Sequence, residues 1–258
     1  MANTTAIQWT DLTWNIARGC SKVDKDCKNC YMFRQSLKGT RYKPDQVTKT
    51  KTVFTLPLKY KGTKSECWPG DPLVFTSSLT DFFHPDIDAY RHEAWDIIRR
   101  CPHLTFQILT KRTERIPDCL PEDWGDGWDN VWLGTSVGSH EGLKRINELQ
   151  RIPAKIRFLS IEPLTEGLNL HPWLVLDLIH WLIVGGESGN ENGKYKYRLC
   201  EISWIEAIVG QCKMFDVPVF VKQMGTYIAK QLNMKDRHGG DINEFPTELQ
   251  IREFPNVK

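Results

Sequence analysis

Three cysteines near the start of the chain, Cys20, Cys27 and Cys30, form a Cys-x6-Cys-x2-Cys run that is followed at once by Tyr31. Thiolates at this spacing can grip one metal centre together. Structural zinc normally takes four protein ligands, whereas a 4Fe-4S cluster held by three cysteines keeps one iron open to another molecule. The next cysteine is Cys67, and no histidine follows at short spacing. The count of three therefore favours an open cluster, with zinc completed by a distant residue such as Cys67 as the alternative. The seven histidines are scattered without metal-ligand spacing, and Gly185-Gly-Glu-Ser-Gly189 places its serine one position late for a hydrolase nucleophile elbow.

A second set of reactive side chains follows a series of short apolar runs. Residues 72–78, 104–109, 131–135, 156–160, 181–184 and 217–221 each read as a buried strand closing on polar residues. Between them, 90–100, 141–150 and 202–215 carry apolar residues at helical spacing. With a strand near Trp14, the alternation predicts about seven parallel strands with right-handed crossovers, an α/β fold of the partial or complete (β/α) barrel type. In such a barrel the carboxyl ends of the strands form the reactive face. Ser77, Ser78, Asp81, Thr110, Lys111, Arg112, Ser136, Glu162, Glu187, Ser188, Lys222 and Gln223 are expected there, together with the cysteine loop at 19–31.

Length and composition fit one core. The chain has 258 residues, 40% of them apolar, with ten tryptophans and eleven phenylalanines, so a single barrel domain over 1–258 is the economical expectation. No run approaches the roughly 18 apolar residues of a membrane span. The first residues lack a secretory signal, which predicts a cytoplasmic, reducing setting in which the eight cysteines are thiols or ligands. A net charge of +2 excludes a uniformly basic nucleic-acid surface, although the connector at 38–64 carries eight lysines and arginines against Asp45 alone. Residues 118–130 read as an acidic surface loop, and 234–258 as a tail packed back through Leu249, Ile251 and Phe254.

Several segments together carry a family resemblance: Gln8-Trp-Thr-Asp-Leu-Thr-Trp-Asn15, Gly19-Cys20 to Tyr31, Ser77-Ser-Leu-Thr-Asp-Phe-Phe-His84, Leu109-Thr-Lys-Arg112, Asn130-Val-Trp-Leu-Gly134, Arg157 to Leu164, Ile183 to Gly189 and Val221-Lys-Gln-Met-Gly225. The chain resembles the phage-associated three-cysteine-motif family, whose members carry phage gene-product numbers. That family is similar in architecture to radical S-adenosylmethionine enzymes, which place a three-cysteine loop after the first barrel strand. The spacing there is commonly Cys-x3-Cys-x2-Cys with an aromatic residue before the last cysteine. Here the loop is three residues longer, Asn29 precedes Cys30, and the aromatic Tyr31 follows it.

The resemblance implies that Cys20, Cys27 and Cys30 ligate a 4Fe-4S cluster whose open iron binds S-adenosylmethionine, giving a 5'-deoxyadenosyl radical that abstracts hydrogen from substrate. Ser77, Ser78 and Asp81 would then hold the cofactor's amino group, and Lys111 or Arg112 its carboxylate. Ser136 and Glu162 would meet the ribose, and Gly185-Gly186 the adenine. Glu187, Arg198 and Lys222 are the candidate catalytic groups on the substrate side. Arg198 ends the run Lys194-Tyr-Lys-Tyr-Arg198, where tyrosines alternate with cations as they do in base-stacking segments. The expected partners are a nucleotide or DNA substrate, an electron donor such as a flavodoxin or ferredoxin, and room for a further protein. Two other classes compete: a zinc-stabilised nucleic-acid-binding protein without radical chemistry, and a barrel enzyme with a structural metal loop in which Lys222 and Glu187 do acid-base work.

Overall fold

The computed structural model describes residues 5–256. The strands are β1 (Leu12–Trp14), β2 (Ala17–Arg18), β3 (Thr48–Lys49), β4 (Leu73–Thr76), β5 (Thr105–Thr110), β6 (Val131–Ser136), β7 (Ile156–Leu164), β8 (Trp181–Gly186) and β9 (Val219–Gln223). The helices are α1 (Asp88–Arg99), α2 (Ile116–Cys119), α3 (Lys144–Gln150), α4 (His171–Leu174), α5 (Ile202–Met214) and α6 (Gly225–Gln231). Apart from the small antiparallel β2–β3 pair, the strands form one seven-stranded sheet in the order β1-β4-β5-β6-β7-β8-β9. This is the parallel sheet of a partial (β/α) barrel in a mixed α/β fold. Its strands are apolar on both faces, and every residue of β4, β6 and β8 is buried, because crossover helices leave a parallel sheet no solvated side.

The chain divides into two compact units. One comprises Met1–Val23, Cys30–Gly134 and Arg151–Lys155. In it β1, β4 and β5 pair in parallel, with Leu12 opposite Val74 and Leu73 opposite Thr105. Trp14 is fully buried against Phe54 and Phe106, and its indole N–H donates to the Phe54 carbonyl at 3.0 Å. Helix α1 buries Arg91, Ala94, Trp95 and Ile98, a three- and four-residue spacing that puts one face inward. Residues 118–130 depart from a plain surface loop. Trp124 packs against Trp95 and Trp128 and is 5% exposed, its N–H donating to the Pro153 carbonyl at 2.8 Å. The apolar area of one indole outweighs the acidic residues around it.

The other unit comprises Asp24–Asn29, Thr135–Gln150 and Ile156–Lys258. Its β7, β8 and β9 pair in parallel, and α5 buries Ile205, Ile208, Val209 and Cys212 at helical spacing. The tail packs on β9: Arg252 forms an antiparallel bridge with Phe220, the Val221 N–H donates to the Ile251 carbonyl, and the Glu253 N–H to that of Val219. Phe254 stacks on Trp181 at 5.4 Å. The tail thereby covers backbone that β9 would otherwise expose. No helix among the described residues is long and apolar enough to cross a membrane.

Candidate metal and cofactor site

Cys20 follows β2 on a turn that only glycine can start. Gly19 has φ of +94°, and a Cβ there would lie 2.2 Å from the Gln46 carbonyl oxygen. The Cys20 N–H donates to the Pro44 carbonyl at 2.9 Å. Beyond the last cysteine the chain enters a π-helical turn, Met32–Ser36, and the Tyr31 hydroxyl donates to the Ser78 carbonyl at 2.5 Å.

Around Cys20 the strand-end residues of this unit form one buried network. Asp81 accepts four hydrogen bonds, from the Thr110 hydroxyl (2.7 Å), the Phe83 N–H (3.0 Å), the Lys111 N–H (3.1 Å) and Arg112 Nη1 (3.0 Å). Its oxygens are thus occupied within the chain, and a cofactor ammonium would have to displace one of these donors. Arg112 also grips Ser21 through the backbone oxygen (2.9 Å) and the hydroxyl (2.8 Å), and its Nη1 lies 3.8 Å from Cys20 Sγ. Burial pulls the Arg112 pKa down, but the charges of Asp81 and Cys20 outweigh it and the net shift is upward. His84 closes the network, its Nε2 2.9 Å from the Ser21 hydroxyl, and its pKa is lowered by burial and by Arg112. Ser78 instead pairs with the Asn15 amide. Ser77, at the end of β4, has φ of 74° and a buried hydroxyl with no partner.

Cys27 ends a three-residue 3-10 turn, Lys25–Cys27, capped by Asp24, whose Oδ1 accepts from the Asp26 N–H at 2.9 Å. Sequence reasoning missed what holds this turn. Arg145, 2% exposed in α3, pairs through Nη1 with Asp24 and through Nη2 with Asp26 at 3.2 Å, while the Gly138 N–H donates to Asp26 at 3.0 Å. Arg198 donates to the carbonyls of Lys25 (2.8 Å) and Asp26 (3.5 Å). Glu187, 6% exposed, orients that guanidinium with contacts of 2.6 and 3.1 Å and also accepts from Asn29 Nδ2 at 2.9 Å. Lys25 pairs with Glu166, whose carboxyl falls to about 2 through that bond and through the His140 N–H. The signal for this mesh lay in the sequence: Arg145 shares the buried side of its helix with Ile146 and Leu149.

The remaining predicted residues of the same unit have other partners. Lys222 pairs with Glu162 at 2.6 Å, both side chains being about one-fifth exposed. The Ser136 carbonyl accepts from Arg145 Nε at 2.9 Å. Gly185 and Gly186 face their own chain: a Cβ on Gly186 would lie 2.2 Å from the Met224 carbonyl oxygen, and Gln223 donates to the Gly186 carbonyl at 2.7 Å. The glycine pair is required by the close approach of the segment after β9.

None of the eight cysteines is in a disulfide. Burial pushes Cys200 and Cys212 up to about 12 and Cys67 up to about 11, and it raises Cys101 and Cys119 as well. Those five stay thiols. Cys20, Cys27 and Cys30 are each partly exposed. Among the described residues, no group of three or more His, Cys, Asp or Glu side chains is already gathered as a metal cage. The donor set still suits an iron-sulfur centre in kind, being soft, in no disulfide and accessible. Beside Cys27 the buried acceptors Asp26 Oδ1 and Asn29 Oδ1 have no partner within the chain, which leaves capacity there for a donor from outside it.

No curated protein and no solved structure matches this chain. The model of the family described as "Protein of unknown function (DUF5131)" matches residues 4–248, nearly the full length, and the chain belongs to that family.

Proposed function

We propose that this protein is a radical S-adenosylmethionine enzyme in which Cys20, Cys27 and Cys30 hold a 4Fe-4S cluster, and that it modifies a nucleotide or DNA base. The observation that carries the reading is the division among the cysteines. Three thiols stand within one short run, in no disulfide and each partly exposed, whereas Cys101, Cys119, Cys200 and Cys212 are buried and Cys67, also partly exposed, has its pKa raised by burial. The resemblance to phage-associated three-cysteine proteins supplies the reaction class. The chemistry such a cluster supplies when bound is one-electron cleavage of S-adenosylmethionine, which requires a donor such as a flavodoxin or ferredoxin and a reducing, cytoplasmic setting.

The chain's own residues take defined parts in this reading. Arg112 keeps positive charge 3.8 Å from Cys20 Sγ and favours its thiolate. Beside Cys27, the orphaned Asp26 and Asn29 oxygens are the open polar positions for S-adenosylmethionine. Lys222 Nζ, paired with Glu162, is the proton-bearing group offered to substrate. Glu187 and Arg198 hold the cysteine segment instead of acting on substrate. The exposed cations of the 38–64 connector support a phosphate-bearing substrate.

Anaerobic reconstitution tests the proposal. It should give about four irons and four sulfides per chain with the brown visible absorption of a cluster. Dithionite and S-adenosylmethionine should then yield 5'-deoxyadenosine. A colourless protein carrying stoichiometric zinc after reconstitution would overturn the reading, as would a loaded cluster that never produces 5'-deoxyadenosine.

A further inference from the structure

The residues around Cys27 read Asp24-Lys-Asp-Cys-Lys-Asn29, with no aliphatic or aromatic side chain among them. Hydrophobic burial therefore has little to grip in this stretch, and a three-residue 3-10 turn is too short to hold itself. Charged groups from distant parts of the same unit hold it instead. Arg145 takes the Asp24 and Asp26 carboxylates, and Arg198 takes the two successive carbonyls of Lys25 and Asp26. Asn29 is fixed by Glu187 at 2.9 Å and by the Lys196 carbonyl at 2.8 Å. The Cys27 thiol takes part in none of these bonds and stays partly exposed.

Burying this many charges is a poor way to gain stability, since well-packed apolar residues of similar volume often do as well or better. What the mesh supplies is a defined posture. We propose that Asp24–Asn29 is a pre-seated metal loop, in which Arg145, Arg198 and Glu187 are positioning residues that fix the backbone around Cys27 before any metal arrives. The inference rests on the reading of Cys27 as a metal ligand. It adds that the extra loop length and the replacement of an aromatic residue by Asn29 belong to this clamp: the additional residues bring the carboxylates that Arg145 takes, and Asn29 provides the amide that Glu187 takes. Cys27 is then a ligand whose backbone is set before metal binds.

The test uses the full chain and two readouts. Arg145 is too deeply buried for a clean substitution, so Arg198→Gln and Glu187→Ala are compared with the milder Glu187→Gln, which keeps an acceptor for Asn29. In the metal-free, reduced protein, trypsin should cut after Lys25 and Lys28 about tenfold or more faster in Arg198→Gln and Glu187→Ala than in the wild type, at unchanged overall secondary structure. Titration with Co2+, followed by its thiolate charge-transfer absorption, should show affinity about 10- to 100-fold weaker in those two variants, with Glu187→Gln retaining most of it. Equal cleavage rates in wild type and variants would overturn the proposal. So would Co2+ affinity unchanged by Arg198→Gln, or equal losses in Glu187→Gln and Glu187→Ala. The cleavage readout needs no metal, so a wild type that makes no 5'-deoxyadenosine yet shows clamp-dependent protection and Co2+ binding sinks the radical reading and leaves the clamp standing.

Discussion

Arg112 and Arg198 are each tied to a buried carboxylate, yet they act on the cysteine stretch in different ways. Arg112 and Asp81 are both 8% exposed, and Arg112 touches chemistry directly, through Ser21 and at 3.8 Å from the Cys20 sulfur. Arg198 is 19% exposed beside a 6% exposed Glu187, and it reaches only backbone carbonyls. One arginine sets the charge around a thiol, and the other sets the path of the chain. An arginine suits both tasks, because its planar fork binds a carboxylate bidentately while its remaining N–H groups reach a second partner.

The largest separation between the two pairs should appear when each carboxylate is removed. Asp81→Ala leaves the Arg112 guanidinium buried without its counter-charge and frees the donors of Thr110 and Lys111, so a loss of about 3–5 kcal/mol in unfolding free energy is expected. Glu187→Gln keeps an acceptor and leaves a more solvated guanidinium, and it should cost about 1–3 kcal/mol. Urea unfolding followed by tryptophan fluorescence measures both. Equal losses would mean that the two pairs are structurally equivalent and the comparison is void.

A smaller effect tests the charge side of the contrast. In the metal-free protein, Arg112→Gln should slow iodoacetamide labelling of Cys20 by roughly five- to tenfold, because the neighbouring cation that favours its thiolate is gone. Arg198→Gln should leave the Cys20 rate unchanged. Peptide mass spectrometry resolves the two, and a Cys20 rate indifferent to Arg112 would remove that residue's assigned role.

How far this contrast was legible beforehand depended on the range of the interactions. The strands were readable because β-branched and aromatic runs ending in polar residues report local burial: the predicted 104–109 and 131–135 became β5 and β6 within one residue at each end. Helix 202–215 likewise emerged as Ile202–Met214. Asp81, Thr110 and Arg112 were placed correctly at strand ends, but their mutual satisfaction was not visible, since Asp81 lies 31 residues from Arg112 and a strand-end polar residue looks the same whether it faces a ligand or a neighbour. Arg145 was passed over because its partners lie 121 and 119 residues away. Gly185-Gly186 suggested close approach, and the approach is real, but the visitor is the Met224 backbone. Residue type thus reported that a position is special, while the identity of the partner depended on contacts far away in sequence.

A further expected effect concerns pH and acts on the Arg198 side. Burial pushes the Cys200 and Cys212 thiols up to about 12, against an ordinary value near 9. A thiol whose folded pKa is raised contributes stability that is complete below the unfolded value. Between about pH 9 and 12 the unfolded chain ionises while the folded chain does not, so the contribution declines as pH rises, by on the order of 1 kcal/mol per pH unit for each thiol. Cys200 lies two residues beyond Arg198, so alkaline ionisation there bears on the segment that holds the Lys25 and Asp26 carbonyls. Unfolding free energies measured from pH 8 to 11 should fall, and Cys200→Ala with Cys212→Val should flatten that fall. Tryptic cleavage after Lys25 should rise with pH in the wild type and much less in the double variant; identical pH profiles for the two proteins would separate the buried thiols from the Arg198 clamp.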